Sequence, residues 1–235
     1  MATSRWVAVL LLAGCSAAPV GQTGAALEDA PVVVGVEGDV VWRPPEGGDG
    51  LPHVALRWTL ADGSSALVPE QKEPWVAALA FHGVLLALDA SRALYALVPG
   101  AVPLRIAEDV ADGPYVSPSG GIAAYFTDRA SGTELWLYDG EVTRRIATGL
   151  EGSAGLRFVD SERAIAFISA RNFGIAGLWV TPLVPGGARC LTNCAFHVGS
   201  DPAGWSKLPR LDSIEVDDTV VRFVDLEGRP RELER

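Results

Sequence analysis

The chain has 235 residues, of which 49% are hydrophobic, and its formal net charge is −10. This composition is typical of a globular protein, and the length suffices for one domain with a large buried core. The acidic balance makes nucleic acid and anionic lipid surfaces poor partners, because both require clustered Lys and Arg side chains to neutralise phosphate.

The N-terminus reads MATSRWVAVLLLAGCS over its first sixteen residues. The apolar stretch from Trp6 to Ala13 follows Arg5 and is too short to span a bilayer, which is typical of an export signal. Its end, Leu11 to Cys15, resembles the lipobox of bacterial lipoprotein precursors, in which small residues precede the cysteine that becomes the lipidated N-terminus. The resemblance implies a signal peptide over residues 1–14 and lipidation at Cys15. The alternatives are an ordinary secretory signal cleaved near Ala17-Ala18, or a buried apolar N-terminus.

A lipid-anchored chain has further expected properties. Removal of residues 1–14 takes away only Arg5, so 18 basic residues would face 29 acidic ones. Residues 15–30 are small and weakly apolar, and they are expected to form a tether between the lipid and the domain. Ser16, rather than Asp, follows the cysteine, so the lipoprotein resemblance implies the outer membrane as destination in a host with two membranes.

Five short turns that contain glycine recur along the rest of the chain. They are spaced by 37, 40, 47 and 41 residues and lie at Asp62-Gly63, Pro99-Gly100, Asp139-Gly140, Gly186-Gly187 and Glu227-Gly228. This period, with segments rich in β-formers between the turns, is typical of stacked four-stranded units. We therefore predict an all-β domain over residues 31–235, a β-propeller of about five four-stranded blades.

The predicted strands are mostly apolar runs of two to seven residues, and no helical period is sustained. Gly35 and Gly38 are expected to bend the chain within the first copy of the repeat. The runs are, in chain order, Val32 to Val36, Val40 to Trp42, Val54 to Leu60, Ala66 to Val68, Val84 to Leu88, Leu94 to Leu97, Leu104 to Ile106, Ile122 to Phe126, Glu134 to Tyr138, Thr143 to Ala147, Ala164 to Ile168, Leu178 to Val180, Arg189 to Thr192, Ser213 to Val216, Val220 to Val224 and Glu232 to Leu233.

Residues 115–193 contain two well-matched copies, which begin at Ser117-Pro118-Ser119-Gly120-Gly121 and at Asp160-Ser161-Glu162. They resemble the β-propeller repeat of the TolB type, whose unit reads approximately S-P-D-G, I-A-F, a polar turn, L-W or I-Y, G-G and L-T. Trp136 and Trp179 fall at one position of this unit, and we expect both to be buried between blades. The resemblance implies a role in protein interaction.

The sequence does not determine whether or how the ring of blades closes. Either the first and last blades close it by side-chain packing, or Val32 to Val36 joins the final blade. A third alternative is an incomplete ring completed by a partner, which would expose strand edges.

Cys190 and Cys194 form a close pair in a chain expected to be exported, and we predict a disulfide between them. A bridge requires a tight turn across Thr192-Asn193, because a fully extended segment would hold the two α-carbons about 13 Å apart. Two free thiols and a partial metal site with His197 are the alternatives. We predict no cofactor and no metal.

No hydrolase, zinc-protease or phosphate-binding motif is present. The histidines, His53, His82 and His197, are scattered over separate copies. Acidic residues cluster at Glu108-Asp109-Asp112 and at Glu215-Asp217-Asp218, where solvated turn charges are the expected role. We therefore predict a non-enzymatic module that binds a protein, peptide or glycan of the cell envelope. The alternative is a small glycan-active enzyme whose paired carboxylates face each other across a channel.

Overall fold

The computed structural model describes residues 31–41, 53–69, 73–152, 155–171, 175–191, 196–197, 209–217 and 219–234. These residues belong to one compact unit, Pro31–Arg235. Cys15, the signal peptide and the tether lie outside the described residues, so their assignments stay predictions. Within the described part no helix is long and apolar enough to cross a membrane.

Apart from one 3-10 turn, the regular structure of the described residues is entirely β, arranged in five antiparallel sheets. Sheet 1 contains β1 (Val33–Val41), β2 (His53–Leu60) and β3 (Ser65–Leu67). Sheet 2 contains β4 (Trp75–Phe81), β5 (Val84–Asp89), β6 (Leu94–Leu97) and β7 (Leu104–Ala107). Sheet 3 contains β8 (Val110–Val116), β9 (Ala123–Arg129), β10 (Gly132–Tyr138) and β11 (Thr143–Leu150).

The C-terminal part of the chain forms the remaining two sheets. Sheet 4 contains β12 (Leu156–Val159), β13 (Ala164–Arg171), β14 (Ile175–Pro182), β15 (Arg189–Cys190) and the short β16 (Phe196–His197), which also pairs with β14. The 3-10 turn Leu211–Ser213 leads into sheet 5, which contains β17 (Glu215–Val216), β18 (Val220–Val224) and β19 (Pro230–Glu234).

The repeat read from the sequence has a simple backbone cause. In each of the five turns one glycine has a positive φ, between 79° and 99°, at Gly63, Gly100, Gly140, Gly186 and Gly228. Residues with a Cβ rarely adopt this left-handed conformation, so glycine is favoured wherever two neighbouring strands are joined this way. The spacing of these glycines therefore reports the spacing of the sheets.

Four hydrophobic clusters hold the five sheets together, and each lies between two consecutive sheets. Representative pairs are Trp58 with Leu85 between sheets 1 and 2, and Phe81 with Tyr125 between sheets 2 and 3. Phe126 packs against Phe167 between sheets 3 and 4, and Val180 shares the last cluster with Phe223 of sheet 5. Face-to-face stacking of successive sheets confirms the predicted fold class, because a four-stranded unit buries its faces only against its neighbours.

Within the described residues the ring of sheets is not closed. None of the four clusters joins sheet 5 to sheet 1. The alternative in which Val32 to Val36 joins the final blade is wrong, because β1 pairs with β2 along its whole length. Sheets 1 and 5 have three strands each within the described residues, where four were predicted.

The first strand also differs from its prediction. Strand β1 runs without a break from Val33 to Val41, although a bend was expected at Gly35 and Gly38. A register shift between Val33 and Gly35 is its single irregularity, and Gly38 pairs regularly with Leu56. A continuous ladder of backbone hydrogen bonds to β2 outweighs the conformational cost of the two glycines.

The face of sheet 5 that points away from sheet 4 is charged. Val221 and Phe223 of β18 are buried toward sheet 4, and Arg222 between them points the other way. In register on either side of Arg222 stand Glu215 and Glu232, and the Arg222 Nε lies 3.0 Å from a Glu232 carboxylate oxygen. Such a polar outer face is expected of a terminal unit that has only one neighbour.

Trp136 and Trp179 occupy equivalent places, as predicted, but their burial differs. Both lie in the third strand of their sheets, paired with Tyr125 and Phe167 respectively. Trp179 is 6% exposed and stacks on Phe167 at 6.2 Å between ring centroids. Trp136 is only half-buried, and its ring is covered by the guanidinium of Arg145, its partner on the neighbouring strand β11, at 5.9 Å.

Cys190 is half-buried at the end of β15, where it packs against the cluster between sheets 3 and 4. Its predicted partner, Cys194, lies outside the described residues. The Cys190–Cys194 disulfide therefore stays a prediction.

Candidate binding cleft

The first strands of sheets 2, 3 and 4 lie at one edge of their sheets and line a common cleft of about 530 Å³. The 3-10 turn before sheet 5 forms the remaining wall. Most of the lining side chains are apolar, and three carry polar groups, Tyr115, Arg157 and Asp212. The residues around the cleft are Leu79, Pro114, Tyr115, Val116, Pro118, Leu156, Arg157, Phe158, Leu211 and Asp212.

One polar pair in this cleft is fixed by hydrogen bonds between two sheets. The Tyr115 hydroxyl donates to Asp112 Oδ1 at 2.7 Å, and the backbone N–H of Gly155 donates to Asp112 Oδ2 at 3.1 Å. Burial, with the hydrogen bond to Asp112, raises the pKa of the Tyr115 phenol well above its usual value. The phenol therefore stays protonated at neutral pH and serves as a hydrogen-bonding group.

The cleft is narrow beside Gly155. This residue has a φ of +96°, and a Cβ in its place would overlap the side chain of Leu211. Glycine at this position lets the 3-10 turn approach the segment that leads into β12. The wall formed by Leu211 and Asp212 is thereby brought close to sheet 4.

Arg157 connects the same two walls. Its Nη1 donates to the backbone carbonyl of Leu211 at 3.2 Å and also to the carbonyl of Asp212. The Asp212 carboxylate turns to Arg210, whose Nη2 lies 3.0 Å away, and this hydrogen bond lowers the pKa of Asp212. The guanidinium of Arg157 is thus held by main-chain oxygens on the cleft wall.

A second cleft of about 450 Å³ adjoins the first and shares Pro118, Arg157 and Phe158 with it. Three acidic residues line it, and the third, Glu215, does so from the edge strand β17, where its side chain shares a face with Arg222. Asp160 Oδ1 lies 2.5 Å from Arg163 Nη2, and Glu162 accepts a 2.6 Å hydrogen bond from the Ser119 backbone N–H. Glu215, the third, forms no ion pair within the described part of the chain.

The two acidic clusters predicted from the sequence are separated by the fold. Glu108 and Asp109 are exposed and pair with Arg105 and Arg129, as turn charges were expected to do. Asp112 instead faces Tyr115 at the cleft, a position that the sequence pattern did not indicate. Among the described residues no group of three or more His, Cys, Asp or Glu side chains lies close enough to hold a metal ion.

In the second cluster Glu215 and Asp217 also have different surroundings. Glu215 borders the second cleft, whereas Asp217 caps the turn between β17 and β18 by accepting from the N–H groups of Thr219 and Val220 at 3.0 and 2.7 Å. Asp218 lies outside the described residues. Of the histidines, His82 is exposed at a turn with a φ of 46°. His53 and His197 lie in strands.

The turn capped by Asp217 gives an acid-sensitive element. The Asp217 carboxylate accepts hydrogen bonds from the backbone N–H groups of Thr219 and Val220 and from the Arg222 side chain. These bonds lower the pKa of Asp217 to about 2, from 3.8. The pKa of Asp217 is lower in the folded than in the unfolded protein. The carboxylate therefore stabilises the folded state fully above about pH 5, and this stabilisation is lost as the pH falls from about 4 to 2. We expect Asp217→Asn to unfold at lower urea concentration than the parent at pH 6, and the difference to shrink toward pH 2. A difference that stays constant over this range would contradict the assignment.

Polar contacts also connect sheets 2 and 3 at their turns. The Arg92 Nε donates to the Val110 carbonyl at 2.9 Å, and its Nη2 pairs with Asp128 at 2.8 Å. Arg129 Nη1 pairs with Asp109 Oδ2 at 3.1 Å. These pairs are exposed, so each contributes at most about 1 kcal/mol, and together they fix the orientation of adjacent turns.

No protein-family model matches the chain, and no curated protein matches it. Solved structures match at low identity. A TolB protein from Agrobacterium tumefaciens is 17% identical over 86% of this chain and 83% of its own, with a TM-score of 0.45. The tricorn protease is 11% identical over 77% and 24%, with a TM-score of 0.49. A gluconolactonase from Xanthomonas campestris is 13% identical over 87% and 77%, with a TM-score of 0.40.

Proposed function

We propose that this protein is a lipoprotein of the cell envelope, anchored through Cys15 to the outer membrane, whose sheets form a non-enzymatic binding module. The cleft between the first strands is the proposed site for a protein or ligand partner. The observation that carries the proposal is the make-up of this cleft, which has a volume of about 530 Å³, mostly apolar walls and a few fixed polar groups. Binding sites for small molecules and peptide segments share this size and composition.

The chemistry of the polar groups also favours binding. Asp112 accepts hydrogen bonds from both Tyr115 and Gly155, and the raised pKa of Tyr115 makes the phenol a poor base near neutral pH. Groups of this kind orient a bound partner without exchanging protons with it.

Strand β4 supplies a matched pair of variants for the test. Leu79 and Val76 are both exposed on β4, at 38% and 50%, and only Leu79 lines the cleft. We expect Leu79→Arg to lose the partner that the parent protein retains from its native envelope, because a guanidinium in the apolar cleft leaves no room for it. The measurement is affinity capture of the lipidated protein followed by mass spectrometry.

Val76→Arg adds the same charge to the same strand outside the cleft and should retain the partner. Equal capture by the parent, Leu79→Arg and Val76→Arg would contradict the cleft as the site. Circular dichroism spectra that match among the three proteins are required for the comparison.

The second cleft favours a second candidate function, that of a small glycan-active enzyme. Asp160, Glu162 and Glu215 line this cleft together, and pairs of carboxylates carry out glycoside hydrolysis. Glu215 is the candidate for the reacting group, because the other two carboxylates are bonded to Arg163 and Ser119. Hydrolysis of an envelope glycan that Glu215→Gln abolishes without loss of stability would establish this function and refute the first.

A further inference from the structure

Most arginine side chains that the structure describes form ion pairs with carboxylates. These arginines are Arg92, Arg105, Arg129, Arg144, Arg145, Arg163, Arg210, Arg222, Arg229 and Arg231. Within the described residues Arg57, Arg157 and Arg189 form none. Of these three, only Arg157 lines the cleft of about 530 Å³ between the first strands of sheets 2, 3 and 4, which we call the central cleft.

Arg157 differs from a mobile surface arginine because two main-chain carbonyls, those of Leu211 and Asp212, hold its guanidinium. Neutral carbonyls orient the group but do not neutralise its charge. A guanidinium has five N–H donors in a planar fork, and both of these hydrogen bonds involve Nη1. Donors therefore remain for an acceptor that enters the cleft, and the fork geometry matches a carboxylate.

The apolar walls beside Arg157 define the rest of the ligand. Leu156 and Phe158 flank Arg157 on β12 but are buried in the cluster between sheets 3 and 4, so the apolar surface open to a ligand comes from Leu79, Val116 and Leu211. A ligand that fills this volume must carry an apolar group next to its charge, since burial of apolar surface supplies most of the affinity in such clefts.

We propose that the central cleft binds the carboxylate of a ligand at Arg157, with an apolar group of that ligand against Leu79, Val116 and Leu211. This assignment rests on the proposed function of the cleft and adds the chemistry of the ligand to it. A free small acid and the C-terminal residue of a peptide share this chemistry.

The neighbouring acids limit where the carboxylate can lie. Asp112 accepts the hydrogen bond of the Tyr115 hydroxyl, and the Asp212 carboxylate, although bonded to Arg210, also lies within electrostatic range of Arg157, so a bound carboxylate must lie away from Asp212. Asp160, Glu162 and Glu215 line the second cleft and repel an anion there. The carboxylate therefore binds on the apolar side of Arg157.

The test compares N-acetyl-leucine with N-acetyl-leucine amide, which have the same apolar group and differ in charge. The mature full-length protein is titrated with each compound to 50 mM, and binding is followed by the NMR shifts of residues 156–158. We expect the acid to bind at least about tenfold more tightly than the amide, because hydrogen bonds to a charged group contribute on this scale. Arg157→Gln should reduce the affinity for the acid to that for the amide, and Arg189→Gln should leave it unchanged.

Two further arms keep the proposal falsifiable. Arg157→Lys keeps the charge and should retain a preference for the acid, even if Arg157→Gln loosens the 3-10 turn. Titration with hexanoate and with the peptide N-acetyl-Ala-Leu distinguishes the two kinds of ligand. Tighter binding of hexanoate indicates a free acid, and tighter binding of the peptide indicates a peptide C-terminus. Equal affinity of the parent for N-acetyl-leucine and its amide would overturn the role of Arg157 and leave the cleft as a binding site. Absence of any shift up to 50 mM would overturn the proposal.

Discussion

Trp179→Ala is expected to reduce the free energy of unfolding by about 3–5 kcal/mol, the usual cost of truncating a buried tryptophan. Trp179 is 6% exposed in the cluster between sheets 3 and 4, where its ring stacks on Phe167. Removal of the indole leaves a cavity between two sheets that depend on this contact. For a domain of this size the melting temperature should fall by roughly 6–20 °C.

Trp136→Ala is the matched control, since Trp136 has the same position in the preceding sheet. Its ring is half-buried under the Arg145 guanidinium and donates to Thr127 Oγ1 at 3.1 Å. The loss of stability should be smaller than for Trp179→Ala, because less apolar surface is removed from the interior. Calorimetry of both variants measures which of them loses more stability. If Trp136→Ala reduces the free energy of unfolding as much as Trp179→Ala does, the conclusion that Trp136 is less buried than Trp179 is wrong.

Cys15→Ala is expected to transfer the protein from the membrane fraction to the soluble fraction of the cell envelope. The prediction follows from Leu-Ala-Gly-Cys at positions 12–15, which resembles a lipobox. A diacylglyceryl group and an amide-linked chain would together supply three acyl chains, whose burial at about 0.8 kcal/mol per CH₂ exceeds the marginal anchoring of a single chain. Fractionation and immunoblotting measure the change, and mass spectrometry of the N-terminus identifies the modification.

Ser16→Ala leaves the cysteine in place and should keep the protein in the membrane fraction. An unmodified mature N-terminus at a residue other than Cys15 would refute the lipoprotein assignment. Cleavage near Ala17-Ala18 would then identify an ordinary secretory signal.

The second and third strands of the sheets could be predicted from the sequence, whereas the first strands of sheets 2, 3 and 4 could not. Strands such as β5, β9 and β13 are uninterrupted apolar runs next to turns with left-handed glycines, and both signals are local. Strand β8 reads VADGPYV, in which Gly113 and Pro114 interrupt the pattern. It lies at an edge of its sheet, where pairing on one side tolerates these residues.

The same cause explains why the cleft was missed. Tyr115 and Arg157 belong to the first strands β8 and β12, which were not among the strands predicted from the apolar pattern. Leu211 lies about 55 residues beyond Arg157 in the chain, and their contact depends on the packing of two separate sheets. The five sheet turns involve only near neighbours, and for these the sequence was informative.

The open ring described above makes the five sheets a line of units rather than a circle. Sheets 2, 3 and 4 are buried on both faces, whereas sheet 5 presents Arg222 and Glu232 to solvent on one of its faces. In a line, a terminal unit detaches by breaking one interface, and an inner unit must break two. Amide hydrogens of β18 should therefore exchange with solvent at a lower opening free energy than those of β9 and β13, so the molecule loosens progressively from its C-terminal end.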